Sequence, residues 1–297
     1  MSTAAGGDSL WTIGRVLTWS TTYLKDSGQT ESPRLDAEVL LAHSLGLSRI
    51  QLYTEFDKPL SSEEREPFKS SLKRRCQGEP VAYITGVKEF MGYAFNVGPA
   101  VLIPRPDTEV LVETVLSLLQ NHEAPTILDI GTGSGCIALS LALKKIGAQV
   151  TAWDIDDQAL AVAATNANKL GAEVSFCQFD ALSDDPWQES QQFDLLVSNP
   201  PYIRPDEREA LPNSVLGFEP LHALFAAPDG LLFYRRLAAM APTVLRPGGH
   251  LAVEIGYAQA AAVMAILAEA GWSQITCVRD WERRDRVIHA QWSGVGP

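Results

Sequence analysis

The segment TILDIGTGSGCIAL, residues 126–139, joins a short apolar run to a glycine-rich loop and then to a second apolar run. The first run is rich in β-forming residues and predicts a buried strand, whereas the second has the length and composition of a helix. Glycine lets the backbone between them turn tightly and approach a ligand, and the helix start would favour a negative group. This strand–loop–helix unit predicts the beginning of a doubly wound α/β sheet.

Later parts of the chain repeat the alternation of strand and helix. After the strand at 126–130, further strands are predicted at 149–153, 174–178, 194–198, 250–255, 274–278 and 287–291, most of them separated by runs rich in Ala and Leu. That order predicts a seven-stranded, mostly parallel, Rossmann-like sheet with helices on both faces. The last two strands are joined by a short non-helical link, so we expect the final strand to be antiparallel.

The amino-terminal region has a different pattern. Apolar residues recur at helical spacing and stop at Gly28 and Gly46, and Ser61 with Glu64 matches a capping box. These features predict a small helical bundle that binds a substrate or partner. The following residues predict a linking β-hairpin, with Tyr83-Ile84 and the alternating run 93–97 as its strands. The predicted domains are 1–79 (helical), 80–104 (hairpin linker) and 105–297 (α/β).

The stretch Asn199-Pro200-Pro201-Tyr202 follows the predicted strand at 194–198. Two prolines cannot continue a β-ladder, so the chain must turn away at the carboxyl end of the strand, where open α/β sheets bind ligands. Asn199 offers a side-chain carbonyl, and Pro200 a backbone carbonyl with no N–H beside it. Two acceptors placed so close together suit the two hydrogens of one planar NH₂ group.

These four residues therefore predict a site for an amide or amino nitrogen. The Tyr202 ring adds a face on which a planar group can stack. We predict Asn199, Pro200 and Tyr202 as catalytic residues, and the same residues with Pro201 as the substrate-binding turn. The alternative is an ordinary proline-rich turn in which Asn199 caps the strand and Tyr202 lies in the core.

Acidic residues follow the second and third strands of the predicted sheet. Asp154 could accept hydrogen bonds from both hydroxyls of a ribose, and Asp180 from an adenine amine. The alternative is that both are ordinary loop residues. A dinucleotide fingerprint needs a small residue where Cys136 stands, so NAD is disfavoured but stays open. The predicted cofactor-binding residues are Gly131, Thr132, Gly133, Ser134, Gly135, Asp154, Asp180 and Asn199.

Together these motifs resemble the S-adenosylmethionine-dependent methyltransferases that act on amide or exocyclic amino nitrogens. Within that group the chain is similar to the peptide chain release factor glutamine methyltransferases of the HemK/PrmC type. The resemblance runs from the helical region to the last strand and rests on GEPVAYI (78–84), EFMG (89–92), IPRPDTE (103–109), GTGSG (131–135), SNPPYI (198–203) and RV (286–287).

The resemblance implies an activity, a cofactor and a partner. The cofactor would be S-adenosyl-L-methionine and the product S-adenosyl-L-homocysteine. The methyl acceptor would be the side-chain nitrogen of the glutamine in the Gly-Gly-Gln motif of class 1 release factors. This chain has Asp107 where the family usually has glutamate, and Arg283 near a usual glycine. Both departures are peripheral to the Asn199–Tyr202 turn.

The charge balance bears on the alternatives. Acidic residues number 36 against 24 basic ones, a formal net charge of −12 that opposes non-specific binding to a phosphate backbone. Short basic clusters at 73–75 and 283–286 could still contact RNA or an acidic partner locally, but charge runs of this kind are more often ordinary solvated surface. The alternatives are a methyltransferase of another protein glutamine, a methyltransferase of adenine in nucleic acid, and a ribosome-associated binding module that has no catalytic activity.

Other sequence features predict no metal site and no membrane association. The cysteines have no CxxC spacing and the histidines no ligand spacing. No apolar run approaches the roughly 18 residues of a membrane span, and the first residues lack the pattern of a secretory signal. We therefore expect a cytoplasmic protein with no bound metal.

Overall fold

The computed structural model describes residues 10–183, 192–226 and 228–294. They form two compact units. One extends to Gly86 and also includes Pro212–Phe218, and the other contains Val87–Leu211 and the residues from Glu219 onward. The first unit thus extends past residue 79, because residues just after that position form a further helix. The division of the chain by function at residues 79 and 104 stays a prediction.

The first unit is a bundle of helices: α1 (Ile13–Ser27), α2 (Pro33–Leu45), α3 (Arg49–Thr54), α4 (Ser62–Cys76) and α5 (Val81–Thr85). The expected end of α1 is present, since Gly28 adopts φ 66° and donates its N–H to the Lys25 carbonyl. The capping box of Ser61 and Glu64 starts α4. Leu17, Leu40 and Phe68 are buried in a core shared by these helices.

Tyr83 and Ile84 do not form a strand, so this part of the hairpin prediction is wrong. Both lie in α5, which begins after Pro80 and ends at Gly86 with φ 72°. Ile84 packs into the core of the bundle. A short apolar run is compatible with either a strand or a helix, and here burial against neighbouring helices selects the helix.

A β-hairpin does follow, with strands β1 (Val87–Phe90) and β2 (Tyr93–Asn96) paired antiparallel. Its two turn residues, Met91 and Gly92, both have positive φ, as the tight turns of two-residue hairpins require. Phe90 and Phe95 are buried and pack edge to face. The hairpin is therefore confirmed, with its first strand later than expected.

The second unit contains the seven-stranded sheet predicted from the sequence. Its strands are β3 (Thr126–Ile130), β4 (Gln149–Asp154), β5 (Val174–Gln178), β6 (Phe193–Ser198), β7 (Leu245–Glu254), β8 (Ser273–Arg279) and β9 (Asp285–Gln291), in the order β5-β4-β3-β6-β7-β9-β8. The pairs from β5 to β7 are parallel, and β9 is antiparallel to both neighbours. The doubly wound fold and the antiparallel last strand are confirmed.

Helices α6 (Glu109–Leu118), α7 (Cys136–Lys144), α8 (Asp157–Leu170), α10 (Leu232–Val244) and α11 (Ala260–Glu269) accompany the sheet, while α9 (Asn213–Leu216) belongs to the first unit. Residues on the two faces of the sheet belong to two separate apolar clusters. None of the described helices is both long and apolar enough to cross a membrane.

Strand order brings the predicted site residues to one edge. The chain moves outward from β3 to β4 and β5 on one side, whereas β6 and β7 lie on the other, so the loops diverge between β3 and β6. Ile130 pairs with Trp153 on β4 and with Ser198 on β6. Because these strands are parallel, the residues that follow them leave the sheet at the same carboxyl edge, the usual ligand position of this fold.

Candidate active site

The loop after β3 has the backbone that its glycines predict. Gly131, Gly133 and Gly135 all adopt positive φ, at 74°, 54° and 80°. No atom lies within 4 Å of the position that a Cβ would take at Gly131 or Gly133, whereas a Cβ at Gly135 would lie 3.2 Å from the Ala163 Cβ. The first two glycines therefore leave open space beside the loop, and the third permits close packing against α8.

Hydrogen bonds hold this loop to the neighbouring strand. The N–H groups of Gly131 and Thr132 both donate to the Trp153 carbonyl, at 2.9 and 3.1 Å. The Thr132 hydroxyl donates to Asp129, a fully buried carboxyl whose pKa burial raises to about 7. The loop is thus preformed by contacts within the protein.

Asp154, at the end of β4, is joined directly to the glycine loop. Its Oδ2 accepts the Gly133 N–H at 2.8 Å, and its Oδ1 accepts the Asp156 N–H at 3.0 Å. Burial raises the pKa of this carboxyl, and the two backbone donors act against that rise. A carboxylate has about four acceptor positions, so Asp154 can accept from ribose hydroxyls as well.

Asp180 lies beyond β5, two residues after Gln178, and its side chain is exposed. Its Oδ1 accepts the N–H of Leu182 at 2.8 Å, which orients the carboxylate within the loop. Gln178 is the β5 partner of Asp154, so both acids leave neighbouring strands at the same edge. The contact of Asp180 with an adenine amine stays a prediction.

Asn199 and Pro200 begin the turn after β6. Asn199 is half-buried, and its side-chain nitrogen donates to the Thr108 hydroxyl at 3.3 Å. Neither Asn199 Oδ1 nor the Pro200 carbonyl oxygen accepts a hydrogen bond from any described residue. The two oxygens of the predicted nitrogen site are thus not already occupied by other described parts of the protein.

A buried carboxyl at the end of β7 links the two ends of this turn. Glu254 is 1% exposed, and it accepts the Thr108 hydroxyl at Oε2 (2.6 Å) and the Tyr202 hydroxyl at Oε1 (3.3 Å). Burial raises its pKa to about 7, while Thr108, Arg286 and Tyr202 oppose that rise. Glu254 therefore connects Asn199, through Thr108, with Tyr202.

Further polar contacts hold Tyr202 and the surrounding loops. Gln259 donates from Nε2 to the Tyr202 carbonyl at 3.1 Å, and the Tyr234 hydroxyl donates to the Glu254 carbonyl at 2.9 Å. The half-buried Tyr202 ring packs against the core beneath the sheet edge. Arg286 is buried between Asp280 and Asp107, at 3.1 and 3.2 Å, and its positive charge acts to lower the pKa of Glu254.

Sequence reasoning did not assign a role to Thr108, Glu254 or Gln259. It placed Arg286 in a basic cluster that could contact RNA or an acidic partner, which is wrong for this residue because it is buried and paired within the protein. Thr108 and Arg286 lie inside motifs that supported the family resemblance, yet their spacing says nothing about what they contact. Glu254 could have been recognised from the sequence, because it is a lone acid in the otherwise apolar end of the strand predicted at 250–255. Such a residue must be paired once it is buried.

Comparisons with known proteins agree with this architecture. Residues 15–86 match the family described as PrmC N-terminal domain, and residues 107–216 match the methyltransferase small domain. The release factor glutamine methyltransferase of Geobacter sulfurreducens is 44% identical over 94% of this chain and 96% of its own length. The protein of the same name from Rhodopirellula baltica is 41% identical over 96% and 97%.

Solved structures show the same fold at low sequence identity. The catalytic domain of hMettl16 in complex with MAT2A 3′UTR hairpin 6 superposes with a TM-score of 0.55 at 18% identity, covering 77% of this chain and 82% of that chain. A methyltransferase from Pyrococcus furiosus gives 0.50 at 18% identity, covering 70% and 92%.

The sheet, the glycine loop joined to Asp154 and the turn at Asn199 define a methyltransferase. The relatives are more specific than the fold, since they match almost the whole chain, helical unit included. The chain belongs to the release factor glutamine methyltransferase family.

Proposed function

We propose that this protein transfers a methyl group from S-adenosyl-L-methionine to the side-chain amide nitrogen of the glutamine in the Gly-Gly-Gln motif of class 1 release factors. One observation carries the proposal. Asn199 Oδ1 and the Pro200 carbonyl, two acceptors with no donor among the described residues, follow β6 at the edge where the glycine loop and Asp154 follow β3 and β4. Family membership supports the choice of substrate.

The cofactor assignment is supported by the chemistry of the residues at this edge of the sheet. The open space beside Gly131 and Gly133 suits a group lying close against the backbone, and the buried Asp154 carboxylate suits a ribose diol. Thr132, Ser134 and Gly135 complete the loop, and Asp180 would accept a hydrogen bond from the adenine amine of the cofactor. When bound, S-adenosylmethionine supplies an activated methyl group on a sulfonium. S-adenosylhomocysteine is the expected product.

The part played by the protein is to hold a weak nucleophile in place. The lone pair of an amide nitrogen is delocalised into its carbonyl, so the nitrogen must be oriented and its planarity relaxed before it can attack. Asn199 Oδ1 and the Pro200 oxygen would accept hydrogen bonds from its two hydrogens. Pro201 and the Tyr202 ring would border the plane of the amide. With S-adenosylmethionine bound, its methyl group would pass to this nitrogen, S-adenosylhomocysteine would leave, and the nitrogen would release one proton to solvent. Positioning accounts for most of the rate increase.

The direct test is to incubate the protein with isotopically labelled S-adenosylmethionine and a purified class 1 release factor. Mass spectrometry of the release factor should locate one added methyl group on the glutamine of the Gly-Gly-Gln motif. A release factor with alanine at that glutamine is the matched control and should stay unlabelled. Absence of label, or label at another residue, would contradict the proposal.

Adenine in nucleic acid is the other acceptor chemistry that an Asn-Pro-Pro-Tyr turn can accommodate. The net charge of −12 does not support it, because a nucleic-acid enzyme is expected to carry a basic binding face. A gel-shift titration with DNA and RNA at moderate salt should show no stable complex. The compartment we propose is the cytoplasm, since the proposed substrate takes part in translation.

A further inference from the structure

The amide of Asn199 has two ends that differ in function. Its oxygen can accept a hydrogen from a substrate nitrogen, whereas its NH₂ group can only donate. A half-turn about the last side-chain bond exchanges the two ends with almost no change in shape. The proposed site works in only one of these orientations, so something must select it.

The hydrogen bonds around Thr108 supply that selection. A threonine hydroxyl has one hydrogen, and the 2.6 Å contact directs it to Glu254 Oε2. Toward Asn199, at 3.3 Å, the Thr108 oxygen can then only accept. The NH₂ end of the amide must therefore face Thr108, and the oxygen faces the other way.

We propose that Thr108, oriented by Glu254, is a positioning residue that turns the Asn199 oxygen toward the methyl acceptor. The proposal rests on the proposed function only for the identity of the acceptor, because the orientation of the amide is a property of the protein itself. Thr108 contacts neither the substrate nor the cofactor in this scheme; it acts through Asn199.

Glu254 is suited to this task because it is buried and its two oxygens accept from two different side chains. Oε2 receives Thr108 and Oε1 receives Tyr202. Arg286, Asp107, Tyr202, Tyr234 and Cys136 are ionisable groups around it. Burial raises the pKa of Glu254 to about 7, and Arg286 favours its charged form. Above a pH of about 7 Glu254 is charged and can only accept, so the hydroxyl hydrogen of Thr108 cannot turn back toward Asn199, and both readouts below are taken above that pH.

The variants that test this role are Thr108→Val and Thr108→Ser. Valine keeps the size and branching of threonine but removes the hydroxyl, whereas serine keeps the hydroxyl and loses one methyl group. We expect Thr108→Val to lower the turnover of the release factor about 10- to 100-fold. The analogy is with residues that hydrogen-bond to the ligands of a metal and fix their orientation without contacting the metal. Thr108→Ser should stay within about threefold of wild type. KM for the release factor and Kd for S-adenosylhomocysteine should change little in both, as expected for lost positioning rather than lost binding.

A second readout does not depend on activity. In NMR spectra of the ¹⁵N-labelled protein, the Asn199 side-chain NH₂ signals are assigned by their absence in Asn199→Ala. Loss of the hydrogen bond to Thr108 should move one of the two amide proton signals upfield in Thr108→Val, and Thr108→Ser should retain the wild-type position. Unchanged Asn199 signals in Thr108→Val would overturn the proposal, as would wild-type turnover by that variant.

The two readouts also separate this proposal from the proposed function. If the wild-type protein methylates no release factor, the proposed function fails, and the NMR comparison still decides whether Thr108 orients Asn199. If wild type is active and both variants lose activity equally, the hydroxyl is not the cause, and the positioning role is rejected while the function stands.

Discussion

The backbone N–H of Gly133 donates to the carboxylate of Asp154 across 2.8 Å. This contact joins the turn after β3 to the end of β4, so the residue proposed to bind the ribose also holds the loop proposed to lie beside the cofactor. The two parts of the proposed cofactor site thus depend on each other.

Replacing Asp154 with asparagine should weaken cofactor binding. The variant loses the charged acceptor for the ribose hydroxyls, and its NH₂ group must face one of the two backbone donors at Gly133 and Asp156. We expect Kd for S-adenosylhomocysteine to rise about 10- to 100-fold, as measured by isothermal titration calorimetry. Asp157→Asn, at an exposed acid on the first turn of α8, should bind like wild type. Equal affinities for the two variants would exclude the ribose role.

Replacing Asn199 with alanine should lower turnover and leave cofactor affinity largely unchanged. The variant removes an acceptor that acts as the nitrogen attacks, a kind of loss that costs about 10²- to 10³-fold in rate. Single-turnover methyl transfer to a release factor measures the first effect, and titration with S-adenosylhomocysteine measures the second. Wild-type turnover by Asn199→Ala would refute the acceptor role.

Gly135 should tolerate substitution less well than Gly171, although both adopt positive φ. An alanine there must adopt φ near 80°, and its Cβ would approach Leu139 at 3.0 Å and Ala163 at 3.2 Å. Gly171 has φ 66° with no atom within 4 Å of a Cβ, so Gly171→Ala is the matched control for backbone strain alone. Strain costs about 1–2 kcal/mol in both, and overpacking adds about 1–3 kcal/mol in Gly135→Ala. Thermal unfolding should give a lower Tm for Gly135→Ala than for Gly171→Ala, and equal values would contradict the packing argument.

Glu254 should make stability depend on pH in a known direction. Burial raises its pKa from 4.5 to about 7 in the folded protein. Between these pH values the folded state keeps a proton that the unfolded chain has lost, so the contribution of Glu254 to the free energy of unfolding falls as pH rises. Glu254→Gln cannot titrate.

The Tm of Glu254→Gln minus that of wild type should therefore increase from pH 4.5 to pH 7 and change little outside that window. Asp129, whose pKa is also raised to about 7, is present in both proteins and cancels from the difference. Arg286, Asp107, Tyr202, Tyr234 and Cys136, ionisable groups around Glu254, are likewise common to both. A difference that stays constant across the window would show that Glu254 is ionised to the same extent in the folded and unfolded states.

The strands were predictable because their signals are local. β3 and β5 have the predicted bounds, and the other sheet strands are displaced mainly at their ends. The largest difference is β7, which begins at Leu245 rather than His250, because pairing of Leu245 with Phe193 on β6 extends the strand across Pro247, Gly248 and Gly249. Those three residues predict a turn when the neighbouring strand is not known.

By itself the sequence determined the doubly wound sheet, the glycine loop and the residues that follow β3, β4 and β6, because periodicity, glycine and proline act on the nearest few residues. Only the tertiary structure decided that Thr108, Asn199, Tyr202 and Glu254 form one network. These residues come from segments far apart in the chain, and no local pattern records which buried carboxyl will meet which hydroxyl. Their pairing follows from the order of the strands and from the requirement that a buried charge find its partners.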